Sequence, residues 1–174
     1  MTVFEQKAAL QGLCILVDTR EQNTYALRAR LTQAGCPFER TALPFGDYSA
    51  KFPLPNGEWL DLRERVAVER KMDFTELAAC YGKGRRRFSR EFDRAREKGA
   101  KLYLLVESAT WECAYEGQYR SRMAPSALVA SLLAWLARYN CQVLMCKPQT
   151  TGRLIRDILY REGKEILERE GEQA

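Results

Sequence analysis

At 174 residues and a net charge of +5, the chain has the length of one domain that can bury a real core, and its charge favours an acidic partner. It holds no histidine, which excludes Ser-His-Asp triads, Cys-His pairs, histidine general bases and the usual zinc-finger ligand sets. Any catalysis must then use carboxylates, lysine, tyrosine, a lone cysteine or a metal.

The first apolar run, Leu13 to Val17, is too short for a signal peptide, and no segment approaches the roughly 20 apolar residues of a membrane helix. The expectation is a soluble, cytoplasmic protein with no membrane partner. Six cysteines, at 14, 36, 80, 113, 141 and 146, show no C-x-x-C spacing and read as reduced, mostly buried thiols.

In chain order, 13-LCILVD-18 is a buried strand that ends in an acid, followed by a helix over 24–35 with Leu27 and Leu31 inward and Gly35 as its stop. Short strands are expected over 37–43 and 46–52, and the Pro, Asn and Gly of 53–59 predict a loop. Residues 64–71 form the next strand, with Val66 and Val68 on one face. A helix opens at Asp73, where D-F-T-E fits an N-cap, and runs to Tyr81 before Gly-Lys-Gly breaks it.

The segment 83-KGRRRFSREFDRAREK-98 carries eight basic residues against three acidic ones, and Phe88 and Phe92 mark its inner helical face. The strand 101–107 again ends in an acid, Glu107. Residues 109–122 read as irregular, 124–140 as an apolar helix with Pro125 in its first turn, 142–146 as a strand, and 150–168 as a helix. Helices alternating with strands predict an α/β domain with a mixed central sheet, a single unit over 1–174 with its core at about 13–168.

The chemistry lies at strand ends. Glu69 and Lys71 are two residues apart on one strand, so they share a face, and Asp47 on a neighbouring, hairpin-paired strand can meet Glu69 across it. Two carboxylates and a backbone carbonyl make a hard oxygen site suited to Mg²⁺ or Mn²⁺, and a lysine beside it can orient water and offset phosphate charge. Taken singly, each of these residues reads first as a surface ion pair or an acid at a solvent-facing strand end.

Three motifs in order give the combination more weight. The sequence 46-GDY-48, a spacer, then 68-VERK-71, with 17-VDTRE-21 upstream, resembles the XPF-type nuclease domain (excision-repair cross-complementing group four). That family is a branch of the restriction-endonuclease-like P-D-(D/E)-x-K nucleases, and the likeness runs from about Leu13 to Glu107.

The resemblance implies a metal-dependent DNA endonuclease that cuts flapped or branched DNA in repair or recombination, with Mg²⁺ or Mn²⁺. It implies Asp47 and Glu69 as metal ligands, Lys71 as the catalytic lysine, Asp18 in support of the metal, and Arg20 as a phosphate contact. Arg70 falls in the same motif, as a DNA or structural residue, and Glu21 would orient one of these arginines.

Thr75 stands where the family pattern E-R-K-x-x-x-D places its last acid. Asp73 and Glu76 flank it, Asp73 also suiting a helix cap and Glu76 a one-residue slip, while Glu107 is a further acid within reach. The family's tandem helix-hairpin-helix module has no counterpart here, which points to a short bacterial or phage-like form.

DNA contact is then expected from Lys83, Arg85, Arg86, Arg87 and Arg90, extended by Arg120 and Arg122. An exposed helix laced by pairs such as Arg87–Glu91 is the plainer reading. Trp111, Tyr115 and Tyr119 are placed to stack on bases or to fill the core edge. The helix at 125–139 is apolar enough for a homodimer contact as well as for the core. The alternatives in function are a catalytically inactive DNA-binding scaffold for a partner nuclease, or a related exonuclease or RNA-directed enzyme.

Overall fold

The computed structural model describes residues 1–172. It begins with a helix that the sequence pattern did not disclose, α1 (Val3–Gln11). Thr2 caps it reciprocally: its hydroxyl accepts the Glu5 N–H at 3.2 Å, and the Glu5 carboxylate accepts the Thr2 N–H at 2.7 Å. Only Ala9 and Leu10 are buried along it, while Val3 and Phe4 face solvent, so no apolar stripe marks it in the sequence.

The strand β1 (Cys14–Asp18) and the helix α2 (Tyr25–Ala34) follow as expected, and Gly35 closes α2 in the left-handed conformation. Next come β2 (Phe38–Thr41) and β3 (Tyr48–Pro53). The expected loop is in part a strand, β4 (Trp59–Asp61), paired antiparallel to β3, before β5 (Val66–Lys71). Asp47 and Glu69 are therefore not joined by a simple hairpin, because β4 lies on the connection.

The helices α3 (Phe74–Tyr81) and α4 (Arg85–Glu97) and the strand β6 (Lys101–Glu107) match the sequence pattern. The stretch expected to be irregular holds a short helix, α5 (Trp111–Glu116), capped by Thr110. The chain continues through α6 (Pro125–Tyr139), β7 (Gln142–Cys146) and α7 (Pro148–Glu172).

The seven strands form one sheet in the order β2-β1-β3-β5-β6-β7, with β4 on β3 off that path. The strands β2 and β1 run parallel, as do β5, β6 and β7, and β3 is antiparallel to both neighbours. This arrangement decides where chemistry can occur. The C-terminal ends of β1, β5 and β6 and the N-terminal start of β3 all emerge at one edge of the sheet. It is the mixed α/β, restriction-endonuclease-like architecture expected from the sequence.

Two layers of helices cover the sheet. On one face α1, α2 and α7 pack over Ile15, Val17, Tyr48, Phe52, Val66 and Val68. Gly152 makes that packing possible, since a Cβ there would lie 2.0 Å from the Arg30 carbonyl oxygen.

On the other face α3, α4, α5 and α6 enclose Ala67, Leu104 and an aromatic cluster of Tyr81, Phe88, Phe92 and Trp135. Each fully buried ring of this kind contributes about 1.5–3 kcal/mol. The six cysteines form no disulfide, and Cys141 alone is buried, the others being half-buried. Among the described residues no helix is long and apolar enough to cross a membrane.

Candidate active site

Asp47 sits where the two parallel blocks of the sheet meet. Its N–H donates to the Val68 carbonyl and its own carbonyl accepts the Asp18 N–H, both at 2.9 Å. Its carboxylate accepts the Arg70 N–H at 2.7 Å. The preceding Gly46 has φ +71°, and a Cβ there would come within 2.8 Å of the Ala67 Cβ. A glycine before the acid is thus a steric requirement of the bend that delivers Asp47.

Strand alternation then assigns the faces. Tyr48, Val66 and Val68 point into the core under α2 and α7, so Asp47, Glu69 and Lys71 point to the opposite face, toward α3 and α4. Glu69 and Lys71 are both buried, at 5 % and 8 % exposed, and pair at 2.6 Å. The Lys71 ammonium also lies 3.7 Å from Glu76 and 5.3 Å from the centre of the Phe88 ring.

Burial and the neighbouring Glu69 push the Asp47 carboxyl well above the usual carboxylate range, against the pull of Lys71. Burial likewise raises Glu69, in spite of Lys71. Burial opposes charge on Lys71, but Glu69 and Asp47 outweigh it and hold the ammonium charged. Two crowded carboxylates sharing one lysine gain from a divalent cation, so Asp47 and Glu69 suit a hard oxygen-ligated ion. Among the described residues no group of three or more His, Cys, Asp or Glu side chains converges as a metal site.

Asp18 lies on the same face but its oxygens are already engaged. Oδ1 accepts the Arg20 N–H and Nε–H, both at 2.7 Å, and Oδ2 accepts the Leu43 N–H at 2.8 Å. Burial raises this carboxyl, yet the bonds from Arg20 and Leu43 prevail and keep it below its ordinary value. In this geometry Asp18 positions Arg20 through these bonds.

Arg20 reaches on to Glu91 of α4 at 3.0 Å, and Glu91 also forms an ion pair with Arg94 at 2.6 Å. The other Glu91 oxygen is buried with no hydrogen-bond partner. Sequence reasoning missed this role for Glu91. The signal was available, since Glu91 lies three residues after Phe88 and one before Phe92, on the flank of the helix's inner face. The pair Arg87–Glu91 is not formed.

The uncertain acids separate cleanly. Asp73 caps α3 by accepting the Glu76 N–H at 2.8 Å. Glu76 faces Lys71 and accepts the Met72 N–H at 2.7 Å. Glu107 belongs to the far face of the sheet, where Arg70 bonds it and Arg30 lies 3.5 Å away.

Three expectations are corrected here. Arg70 points to that far face with only 15 % of its side chain exposed, so it is not available to DNA. Glu21 orients neither Arg20 nor Arg70; it lies 3.8 Å from Arg30 and accepts the Tyr48 hydroxyl at 3.2 Å. Glu107 cannot share a metal with Glu69, because the sheet lies between them.

Lys83, Arg85, Arg86, Arg87 and Arg90 are all exposed, and Arg85, Arg86, Ser89 and Arg90 line an open groove of about 550 Å³. Arg87 is on the site side of α4. Burial raises the Cys80 thiol, and the charges of Lys71 and Arg87 both act against that rise. Arg120 and Arg122 are exposed as well. Trp111 and Tyr119 are half-buried, Tyr119 against Phe74 at 6.2 Å, which leaves Tyr115 as the freely exposed ring of the three.

The profile of the ERCC4 domain matches residues 17–158. Among solved structures, XPF from Aeropyrum pernix superposes with a TM-score of 0.60 at 20% identity, covering 86% of this chain and 61% of that one. XPF from Aeropyrum pernix in complex with DNA gives 0.61 at 21% identity, covering 87% and 65%. This chain thus spans less than two thirds of the length of either, and no curated protein matches its sequence. With the motifs, the sheet order and this match in agreement, the chain belongs to the ERCC4 domain family, the XPF-type branch of the restriction-endonuclease-like fold.

Proposed function

We propose that the protein is a metal-dependent endonuclease that hydrolyses DNA phosphodiester bonds, with a preference for flapped or branched DNA. The observation that carries this reading is the buried Glu69–Lys71 pair facing Asp47 at the convergent edge of the sheet. A surface ion pair would need neither the burial nor the second carboxylate. An inactive scaffold subunit, the alternative, would have no reason to keep both carboxylates and the lysine in one pocket.

Asp47 and Glu69 would hold a Mg²⁺ or Mn²⁺ ion, which supplies Lewis acidity and a more acidic bound water. Lys71 stays charged between its two carboxylates, so it donates hydrogen bonds toward the scissile phosphate and stabilises developing negative charge. Arg20, braced by Asp18 and Glu91, is placed to contact the adjacent phosphate. Glu76 holds the far side of Lys71 and takes the place of the absent last motif acid. Lys83, Arg86, Arg87 and Arg90 grip the backbone, with Arg85 beside them.

This reading places the protein in DNA repair or recombination in a bacterial or phage-infected cytoplasm. It includes a homodimer through α6, where Leu133 is 49% exposed while Leu128, Val129, Leu132 and Trp135 are buried.

Cleavage of labelled flap, splayed-arm and linear duplex DNA by wild type and Asp47→Ala, each with Mg²⁺, Mn²⁺ or EDTA, tests the proposal. Metal-dependent cutting lost in the variant is expected. DNA binding by the wild type without cutting under any condition would move the assignment to the scaffold.

A further inference from the structure

The arginines of α4 do not form one uniform patch. Arg94 turns toward the candidate site, bonding the Pro44 carbonyl at 2.7 Å and Glu91 at 2.6 Å. Arg86 and Arg90 point outward. Arg85 and Arg96 lie on the opposite flank, against α6.

Eleven residues separate Arg85 from Arg96, which is three helical turns to within about 20°, so they share a side about 16 Å apart. Arg85 lies over the Trp135 ring at 5.3 Å and Arg96 over the Tyr139 ring at 5.4 Å. Between them stands Arg138 of α6, 5.7 Å from the Trp135 ring and 5.9 Å from the Tyr139 ring. The two rings therefore carry a row of three exposed guanidinium groups along the α4–α6 seam.

We propose that this seam is a second nucleic-acid track, which takes the phosphate backbone of a second arm of a branched DNA while the first arm lies at the Lys71 side of α4. The inference rests on the nuclease reading and deepens it. Three arginines lie over two rings here, with Arg138 shared between both.

Arg96 has one carboxylate, Asp93 at 3.1 Å. Among the described residues neither Arg85 nor Arg138 forms an ion pair. Three like charges held within about 16 Å repel one another, and a polyanion is the partner that relieves this. Guanidinium groups already held on rings lose little freedom when they bind phosphate, so the row is pre-organised for that ligand. The ridge of α4, with a basic flank on either side, matches a substrate whose arms diverge.

The test is the double variant Arg96→Gln/Arg138→Gln, with Arg138→Gln alone as a second variant in case the double variant melts early. Binding of a splayed-arm DNA and a linear duplex is measured in EDTA over a range of salt, followed by cleavage with Mg²⁺. The expected result is at least about a tenfold loss of affinity for the splayed arm, a salt slope shallower by about two, and little change on the duplex.

Equal affinities for wild type and variants on the splayed arm, or equal losses on both DNAs, would overturn the second track and leave the nuclease reading standing. Wild-type protein that binds neither DNA would overturn both. A poly-aspartate chain that competes for the seam as tightly as DNA would assign it to an acidic protein partner and reject the inference.

Discussion

Glu91, on the basic helix, holds Arg20 through a 3.0 Å ion pair across 71 residues of sequence. That contact fixes the VDTRE turn to the helix that carries the exposed Arg85, Arg86, Arg87 and Arg90. Loss of the charge leaves Arg20 with Asp18 and the Leu43 carbonyl, and Arg94 with the Pro44 carbonyl. Glu91→Gln is expected to lower the cleavage rate by about ten- to a hundredfold, since small misplacements of a phosphate contact have effects of that size. DNA affinity should change far less. Single-turnover kinetics beside binding curves separate the two, and a loss confined to binding would reject the positioning role.

Lys71 offsets the charge of two buried carboxylates, so its removal affects stability and activity in different ways. Lys71→Met is expected to reduce cleavage by about 10²–10³-fold, the range for loss of one preorganised electrostatic group. It should also destabilise the protein, because removing one partner of a buried pair costs about 3–5 kcal/mol. A divalent ion that binds Asp47 and Glu69 replaces the missing charge. Mg²⁺ should therefore raise the melting temperature of Lys71→Met more than that of wild type. Identical shifts in both proteins would argue against these two carboxylates as the ligands.

On the far face, burial pushes Glu107 up, but Arg70, Thr151 and then Arg30 hold its carboxyl below the ordinary 4.5. A depressed carboxylate stabilises the fold above its unfolded-state pKa, and that stability is lost as pH falls through the folded value. Glu107→Gln, which leaves Arg70 without its anion and Arg30 with Glu21 alone, should destabilise by about 3–5 kcal/mol near neutral pH. The gap to wild type should narrow as pH drops below about 4.5. Melting curves from about pH 7 to about pH 3 read this directly, and a constant gap would contradict it.

Gly46 tests the placement of Asp47 without touching its carboxylate. Gly46→Ala forces a side chain into φ +71° and onto the Ala67 methyl at 2.8 Å. The strain of such a position is about 1–3 kcal/mol. Activity should fall further than stability, because the bend that aims Asp47 must shift. A variant as active as wild type would mean that the bend is not needed for the site.

Much of this was legible from residue patterns, and the failures have physical reasons. The alternation of β5 was enough to put Glu69 and Lys71 on one face, and the run of apolar residues in β6 located its strand. Val3 and Phe4 point outward, which hid α1. Pro53, Pro55 and Gly57 hid β4, since short strands bounded by breakers read as loops. The roles of Glu91, Arg30 and Arg70 depend on partners on distant elements, and no local period encodes such a pair. For Arg70, strand parity alone already turned it away from Lys71.

The contact at Gly152 has a consequence for the order of assembly. The helix α7 follows all seven strands in the sequence, and its backbone touches that of α2 where Gly152 meets Arg30. Strand pairing and the helices beside Asp47 and Glu69 can thus be complete while only α1 and α2 cover the face of Tyr48 and Phe52. Because α7 follows the strands in the sequence, a nascent chain that stalls before it leaves part of the apolar sheet exposed, the kind of surface that chaperones recognise.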